Sequence, residues 1–358
     1  MRGHGVLLFS LLLGLGMTGC SAKTFNSAPS TDISPSALRS RFAPLMAQTQ
    51  QNAALADLGR QLYYDPRLSV NNSISCNSCH GLTTTYGADD SALSDGYKGQ
   101  KGTRNAPTVY NAALQIAQFW DGRAADLAAQ AKGPVLNPLE MGIPNSDAVV
   151  DKLKAVPEYR KEFQTAFPGS KDPVTFDNMA TAIAAFEEGL QTPSPWDKYL
   201  NGDTGALTAS QKHGLKLFLK TGCAACHAGR DMGGGLYQCM GQVAAWPDTH
   251  DLGRYQVTKE ERDRMVFKVP TLRNVARTAP YFHDGSVPDL QQAVQLMAQY
   301  QCGVKLDKRK AALITDFLGS LTGELPQAYI AKPALPPMAA ASTGKGTKEH
   351  PSKGKARL

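Results

Sequence analysis

Cys76-Asn77-Ser78-Cys79-His80 has a second copy in the chain, Cys223-Ala224-Ala225-Cys226-His227. Cys-x-x-Cys-His is the spacing of c-type haem attachment. Two thiols add across the two vinyl groups of the porphyrin, and the histidine that follows swings beneath the ring to coordinate iron. A zinc site or a redox dithiol asks for no histidine directly after the second cysteine, and neither explains two copies. The sequence therefore predicts two covalently bound haem c groups. One sits on Cys76 and Cys79 with His80 as proximal iron ligand, the other on Cys223 and Cys226 with His227.

The motifs stand 147 residues apart (223 minus 76) in a chain of 358, long enough for two cores with one haem each. Hydrophobic residues make up 42% and charged residues 19%, which reads as globular rather than disordered. The formal charge of +7 is concentrated at the end: Lys332, Lys345, Lys348, Lys353, Lys355 and Arg357 oppose only Glu349. No basic helix with interleaved aromatics accompanies it, so a nucleic-acid partner is excluded.

The pattern along the chain is helical. Leu55, Leu58 and Leu62 share a face from about Ala53 until Pro66, just before the first motif. Leu215, Leu217, Phe218 and Leu219 repeat that arrangement before the second, with Asn201-Gly202-Asp203 as a boundary and Thr208 as a helix cap. Further helices are expected around 146–156, 175–190, 288–299 and 306–321, and alternating β-branched runs are scarce, so strands should be few and short. The expected fold is all-α, with two cytochrome c-like domains at 51–205 and 206–330.

The flanks read differently. Residues 1–20 combine a basic start with an apolar run too short to span a bilayer, a signal peptide. Thr18-Gly19-Cys20-Ser21 also resembles a lipoprotein box, with Cys20 as lipid anchor; ordinary cleavage near Ala22 is the competing reading. Either way the protein is expected in the periplasm, free or tethered through Cys20. Residues 21–50, rich in Ser, Pro and Ala, read as a flexible linker, and 331–358 as a disordered basic tail. Cys239 and Cys302 remain after the haem thiols and Cys20; in an oxidising compartment they are expected to form a disulfide.

Several stretches resemble the bacterial dihaem cytochrome c peroxidase family. They are Leu58-Gly59-Arg60-Gln61-Leu62, Arg104-Asn105-Ala106-Pro107-Thr108, Gln118-Phe119-Trp120-Asp121-Gly122-Arg123 and Asn137-Pro138-Leu139-Glu140-Met141-Gly142. The second half adds Val269-Pro270-Thr271-Leu272-Arg273-Asn274 and Ala279-Pro280-Tyr281-Phe282-His283-Asp284-Gly285. The resemblance, over about 53–325, implies a peroxidase that reduces hydrogen peroxide to water with electrons from a small c-type cytochrome or copper protein. By analogy it also implies a homodimer.

The resemblance further implies a division of labour. The His80 haem meets peroxide and needs an open sixth position; the His227 haem stores an electron, with Met297 as its sixth ligand. By helical spacing alone Met297 would be a core residue on a stripe with Leu290 and Val294. Glu140 would serve as acid and base over the peroxidatic iron, Gln130 would orient peroxide, and Trp120 would carry electrons between the haems. Asn105, with the carbonyls of Thr278 and Pro280, would hold calcium. Read without the family, Glu140 is a solvated cap, Gln130 an exposed helix residue and Trp120 a core aromatic.

One departure stands out. No histidine lies between His80 and His213, where many relatives carry one that caps the peroxidatic iron at rest. Tyr97 stands near that place, so the His80 iron is expected to lack a histidine cap. The rival readings are a protein-oxidising relative of the methylamine dehydrogenase maturation enzyme, which has Tyr in place of the Met ligand, and a dihaem electron carrier without a substrate.

Overall fold

Helix pairs crossing at a glycine organise both halves of the chain. The computed structural model describes residues 32–46 and 52–337. Helix Ala53–Tyr64 packs on Phe176–Glu188, and helix Ala209–Thr221 packs on Lys308–Gly319. At the first crossing a Cβ on Gly59 would stand 1.8 Å from the Ala182 carbonyl oxygen; at the second, one on Gly214 would stand 1.9 Å from that of Leu313. Only glycine lets the backbones approach this closely.

Around these pairs lie two buried clusters. The first contains Leu58, Leu62, Tyr63, Tyr159, Phe163 and Phe186. The second contains Trp196, Leu215, Phe218, Phe317 and Leu321. The fold is mostly helical, as expected. Its one sheet among the described residues pairs β1 (Tyr237–Cys239) antiparallel with β2 (Val266–Lys268), Gln238 facing Phe267.

The internal repeat extends well past the haem motifs, at an offset of 163 residues (274 minus 111). Asn111 and Asn274 both adopt left-handed backbone, with φ of 63° and 62°. Each starts a short 3-10 turn, Ala112–Leu114 and Val275–Arg277. Phe119 and Phe282 both have positive φ, inside matching loops closed by Gln118 N–H to the Ala124 carbonyl and Tyr281 N–H to the Val287 carbonyl. Asp126 and Asp289 then cap the helices Leu127–Leu136 and Leu290–Cys302 by accepting from the backbone N–H three residues on.

Several expectations need correction. Part of the segment read as linker is folded: Ser34 caps a turn of helix, Pro35–Leu38, and Leu38 and Phe42 are buried in the second cluster, Phe42 edge-on to Trp196 at 5.4 Å. Leu38 and Phe42, together with Leu45 N–H donating to Asp197 Oδ1 at 2.7 Å, dock a stretch whose composition looks unstructured. Trp196, Tyr199 and Leu200, expected in the first domain, pack in the second cluster, whereas Ile330 joins the first. The start of the tail is also held, by Arg67 donating to the carbonyls of Pro336 and Pro337. The leader with Cys20, and the tail from 338 on, lie outside the described residues. No described helix is long and apolar enough to cross a membrane.

The expected bridge between Cys239 and Cys302 is not formed. Cys239 is disulfide-bonded, but Cys302 keeps a free thiol and lies against Cys223. Direction is the reason. Gln301 donates to the Cys239 carbonyl at 2.9 Å, and the next helical position is turned about 100° away, toward Gly222 and Cys223.

The crossings yield a stability prediction. Gly59→Ala and Gly214→Ala should each cost about 1–3 kcal/mol through overpacking against backbone. Gly169→Ala, which would meet nothing within 4 Å, should leave the unfolding midpoint in place. Denaturant unfolding of the holoproteins followed by circular dichroism checks this.

Candidate active site

The first attachment motif forms a short helix, Cys76–Cys79, entered through a capping box between Ser75 and Ser78. His80 leaves helical geometry, with φ −128° and ψ 66°, which carries its ring away from the helix. Nδ1 lies 3.1 Å from the Gly87 carbonyl, with the Pro107 carbonyl as a second backbone acceptor. A carbonyl only accepts, so the proton belongs on Nδ1 and the Nε2 lone pair is left for iron. Burial pushes the imidazole pKa down, which favours the neutral, ligating form. Gly87 has φ +73°, and a Cβ there would meet Tyr110 and Val109 at 2.9 Å.

The second motif repeats the device. Gly222, left-handed, closes helix Ala209–Thr221 and opens the turn Cys223–Ala225. His227 Nδ1 is 3.3 Å from the Met232 carbonyl, and Pro270 takes the place of Pro107. Burial holds the His227 imidazole down at about 4. Two thiols three positions apart and an imidazole fixed in one tautomer fit c-type haem at both motifs. Haem supplies the redox chemistry there when bound.

The His80 ring lines a cavity together with Cys76, Cys79, Trp120, Gln130 and Glu140. Sequence separations of 40 to 60 residues (120, 130 and 140 against 80) close into one site because the Leu127–Leu136 helix and the turn after it form the opposite wall. Gln130 is half-buried on that helix rather than exposed. Pro134, one turn on, has no N–H, so it cannot cap the Gln130 carbonyl, and it lines the same cavity.

Glu140 is likewise half-buried, not a solvated cap. Asn137 Nδ2 donates to Glu140 Oε1 at 2.6 Å, and the Glu140 carbonyl accepts from Tyr97 N–H at 2.6 Å. Burial raises the carboxyl pKa against the opposing pull of Asn137 and Arg123. The loop bearing Tyr97 reaches this turn only because residue 96 is glycine: a Cβ there would sit 1.8 Å from the Leu139 carbonyl. Tyr97 itself packs against Gly142 and is absent from the cavity wall. Among the described residues His80 is the only histidine on that wall.

Trp120 stands between the halves. Its Nε1–H donates to the Asn105 carbonyl at 2.9 Å, and its own carbonyl accepts from Lys268 N–H at 2.7 Å. The indole lies edge-on to His283 at 6.4 Å, and His283 stacks on Phe267 at 4.4 Å. Asn105 is buried, and its N–H donates to the His283 carbonyl at 2.8 Å. Asn105 Nδ2 donates to the carbonyls of Ser91 and Ala92; Thr278 and Pro280 precede His283 in the facing loop. Arg104 clamps this junction, paired with Asp121 and, through two nitrogens, with Asp251.

Met297 lies half-buried on Leu290–Cys302. Leu290 and Val294 of the same stripe join the second cluster, but Met297 joins none of the described clusters. Among the lining residues that sequence reasoning missed is a carboxyl. Glu187 lines the wall beside Cys76 and is 4% exposed. A glutamate in the last turn of a helix reads as solvated, and only packing reveals otherwise.

The family model for di-haem cytochrome c peroxidase matches residues 53–205. The cytochrome c551 peroxidase of Nitrosomonas europaea is 46% identical over 82% of this chain and 87% of its own length. That of Pseudomonas aeruginosa is 48% identical over 78% and 81%. Among solved structures, a MauG-like protein associated with microbial copper homeostasis superposes with a TM-score of 0.68 at 28% identity, covering 81% of this chain and 96% of its own. Together with the paired attachment motifs, these likenesses establish that the chain belongs to the di-haem cytochrome c peroxidase family.

Proposed function

We infer that this protein reduces hydrogen peroxide to water, drawing electrons from a small c-type cytochrome or a cupredoxin. The observation that carries the reading is the meeting of an acid–base carboxyl, an amide and an indole in the cavity that His80 lines. The iron on His80, when bound, supplies the site at which the peroxide O–O bond is reduced.

The chain's own groups manage protons and position. Glu140, held by Asn137, takes a proton from the proximal oxygen of peroxide and returns it to the departing oxygen. The Gln130 amide orients the substrate on the same wall. Trp120, bonded to Asn105 on one side and Lys268 on the other, is suited to pass the second electron across. Met297 would supply a thioether ligand to the iron held by His227; a thioether raises the potential and suits an electron store. Asn105, with the Thr278 and Pro280 carbonyls, would supply oxygen donors to a calcium ion.

The two clusters support one haem domain on each, with the division drawn near 193–206 and residues 196–200 assigned to the second. A periplasmic location, with or without a lipid on Cys20, and a homodimer complete the reading. A bare electron carrier has no use for Glu140 and Gln130 in such a cavity. A protein-oxidising relative would carry tyrosine where Met297 stands.

Steady-state peroxide turnover with reduced cytochrome c should fall about 10²–10⁴-fold in Glu140→Gln. In the wild type the base form is the active one. Because burial raises this carboxyl's pKa, the acid limb of kcat/KM should lie above the ordinary carboxylate range and vanish in the variant. Equal rates in the two proteins would remove Glu140 from the mechanism. Electron paramagnetic resonance of the oxidised protein should lack a bis-histidine low-spin signal from the His80 haem. Met297→His should lower the potential of the other haem, read by spectroelectrochemistry.

A further inference from the structure

Glu187 is a buried carboxyl that the mechanism above does not use. It projects from the end of helix Phe176–Glu188 into the His80 cavity and is 4% exposed. Among the described residues no group donates a hydrogen bond to its carboxylate and no cation pairs with it. Burial alone holds its pKa up, at about 8. A carboxyl with no partner in such a place is far cheaper to keep neutral than charged.

Its neighbours sharpen the point. Tyr63, from helix Ala53–Tyr64, and Cys76, from the attachment helix, both lie close enough to feel its charge. Neither offers compensation: Tyr63 spends its hydroxyl on the His80 carbonyl at 2.7 Å, and Cys76 is consumed in haem attachment. Across the cavity stand Glu140, Arg104 and Arg123. Arg104 is committed to Asp121 and Asp251, and Arg123 to Asp121 and the Phe119 ring.

We propose that Glu187 is the proton-uptake partner of the His80 haem, binding one proton from solvent for the one electron that haem accepts from the reduced donor. This rests on His80 carrying haem, as read above. The ferric group bears one more positive charge than the ferrous group, and in a cavity of low dielectric that charge favours the carboxylate. On reduction the charge is lost and the carboxylate takes a proton, so the pocket's net charge is the same before and after. The sign follows: the potential of this haem falls as pH rises through the window between the carboxyl's two pKa values, lower with ferric and higher with ferrous haem. Outside that window it is flat.

The test is spectroelectrochemical titration of both haems in the holoprotein between pH 6 and 9.5, for the wild type, Glu187→Gln, Glu187→Asp and Glu140→Gln. The expected result is a tenfold shift in the reduction equilibrium per pH unit within the window, for the His80 haem of the wild type. Glu187→Gln should abolish it, and Glu187→Asp and Glu140→Gln should keep it. A wild type without that slope, or Glu187→Gln that retains it, overturns the proposal. If Glu187→Gln fails to load haem, redox-difference infrared spectroscopy of the wild type decides: a protonated-carboxyl band should appear on reduction at pH 8, and its absence overturns the proposal. Peroxide turnover of the same wild-type preparation separates the failures, because full turnover with a flat potential leaves the peroxidase reading intact.

Discussion

Everything at the two attachment motifs depends on a hydrogen bond from an imidazole Nδ1 to a main-chain carbonyl. It fixes the tautomer, orients the ring and raises the basicity of Nε2. The acceptors are backbone atoms, at Gly87 and Met232, so no substitution at those residues deletes them; what can be lost is their position. The surrounding structure is therefore placed by the demands of two carbonyl groups. Gly87 must take a left-handed conformation against Tyr110, and Thr108 must tie the segment after Pro107 to the Tyr86 carbonyl at 2.6 Å. Thr271 and the Asp231 carbonyl do the same at 2.7 Å in the second half.

On this shared frame the two halves differ at decisive positions. Matching residues 163 apart, Gln130 corresponds to Ala293, Pro134 to Met297 and Trp120 to His283. The helix over the first motif thus presents an amide and a ring without a donor, whereas the helix of the second presents a thioether. The same loop carries an indole in one half and an imidazole in the other, and the two rings meet edge-on at 6.4 Å. One backbone plan thus carries different chemistry in its two halves by changing what hangs on it.

How much of this was legible beforehand follows from the range of each interaction. The helix caps and the apolar stripes are local, and they read correctly from spacing alone. Trp120, Gln130 and Glu140 could be singled out only through a resemblance; their convergence depends on a helix folding back over His80. What failed was whatever required direction. Cys302 is adjacent in sequence to the residue that touches Cys239, yet its thiol turns to Cys223. Leu38 and Phe42 sit in a stretch whose composition looks unstructured, and only the surface of Trp196 gives them a place. Nothing local to Glu187 in the sequence signals that its carboxyl is buried.

Thr192 joins the halves in a way that bears on motion. Its hydroxyl oxygen accepts from Asn111 Nδ2 and from Asn274 Nδ2, both at 2.9 Å, and it is fully buried. The two asparagines are counterparts, so one oxygen spends both lone pairs on equivalent donors from opposite sides. Sliding one half past the other would strand a buried amide, whereas rotation about this atom would not. The hydroxyl is the natural pivot, and a movement of one half against the other would turn around it rather than shear across it.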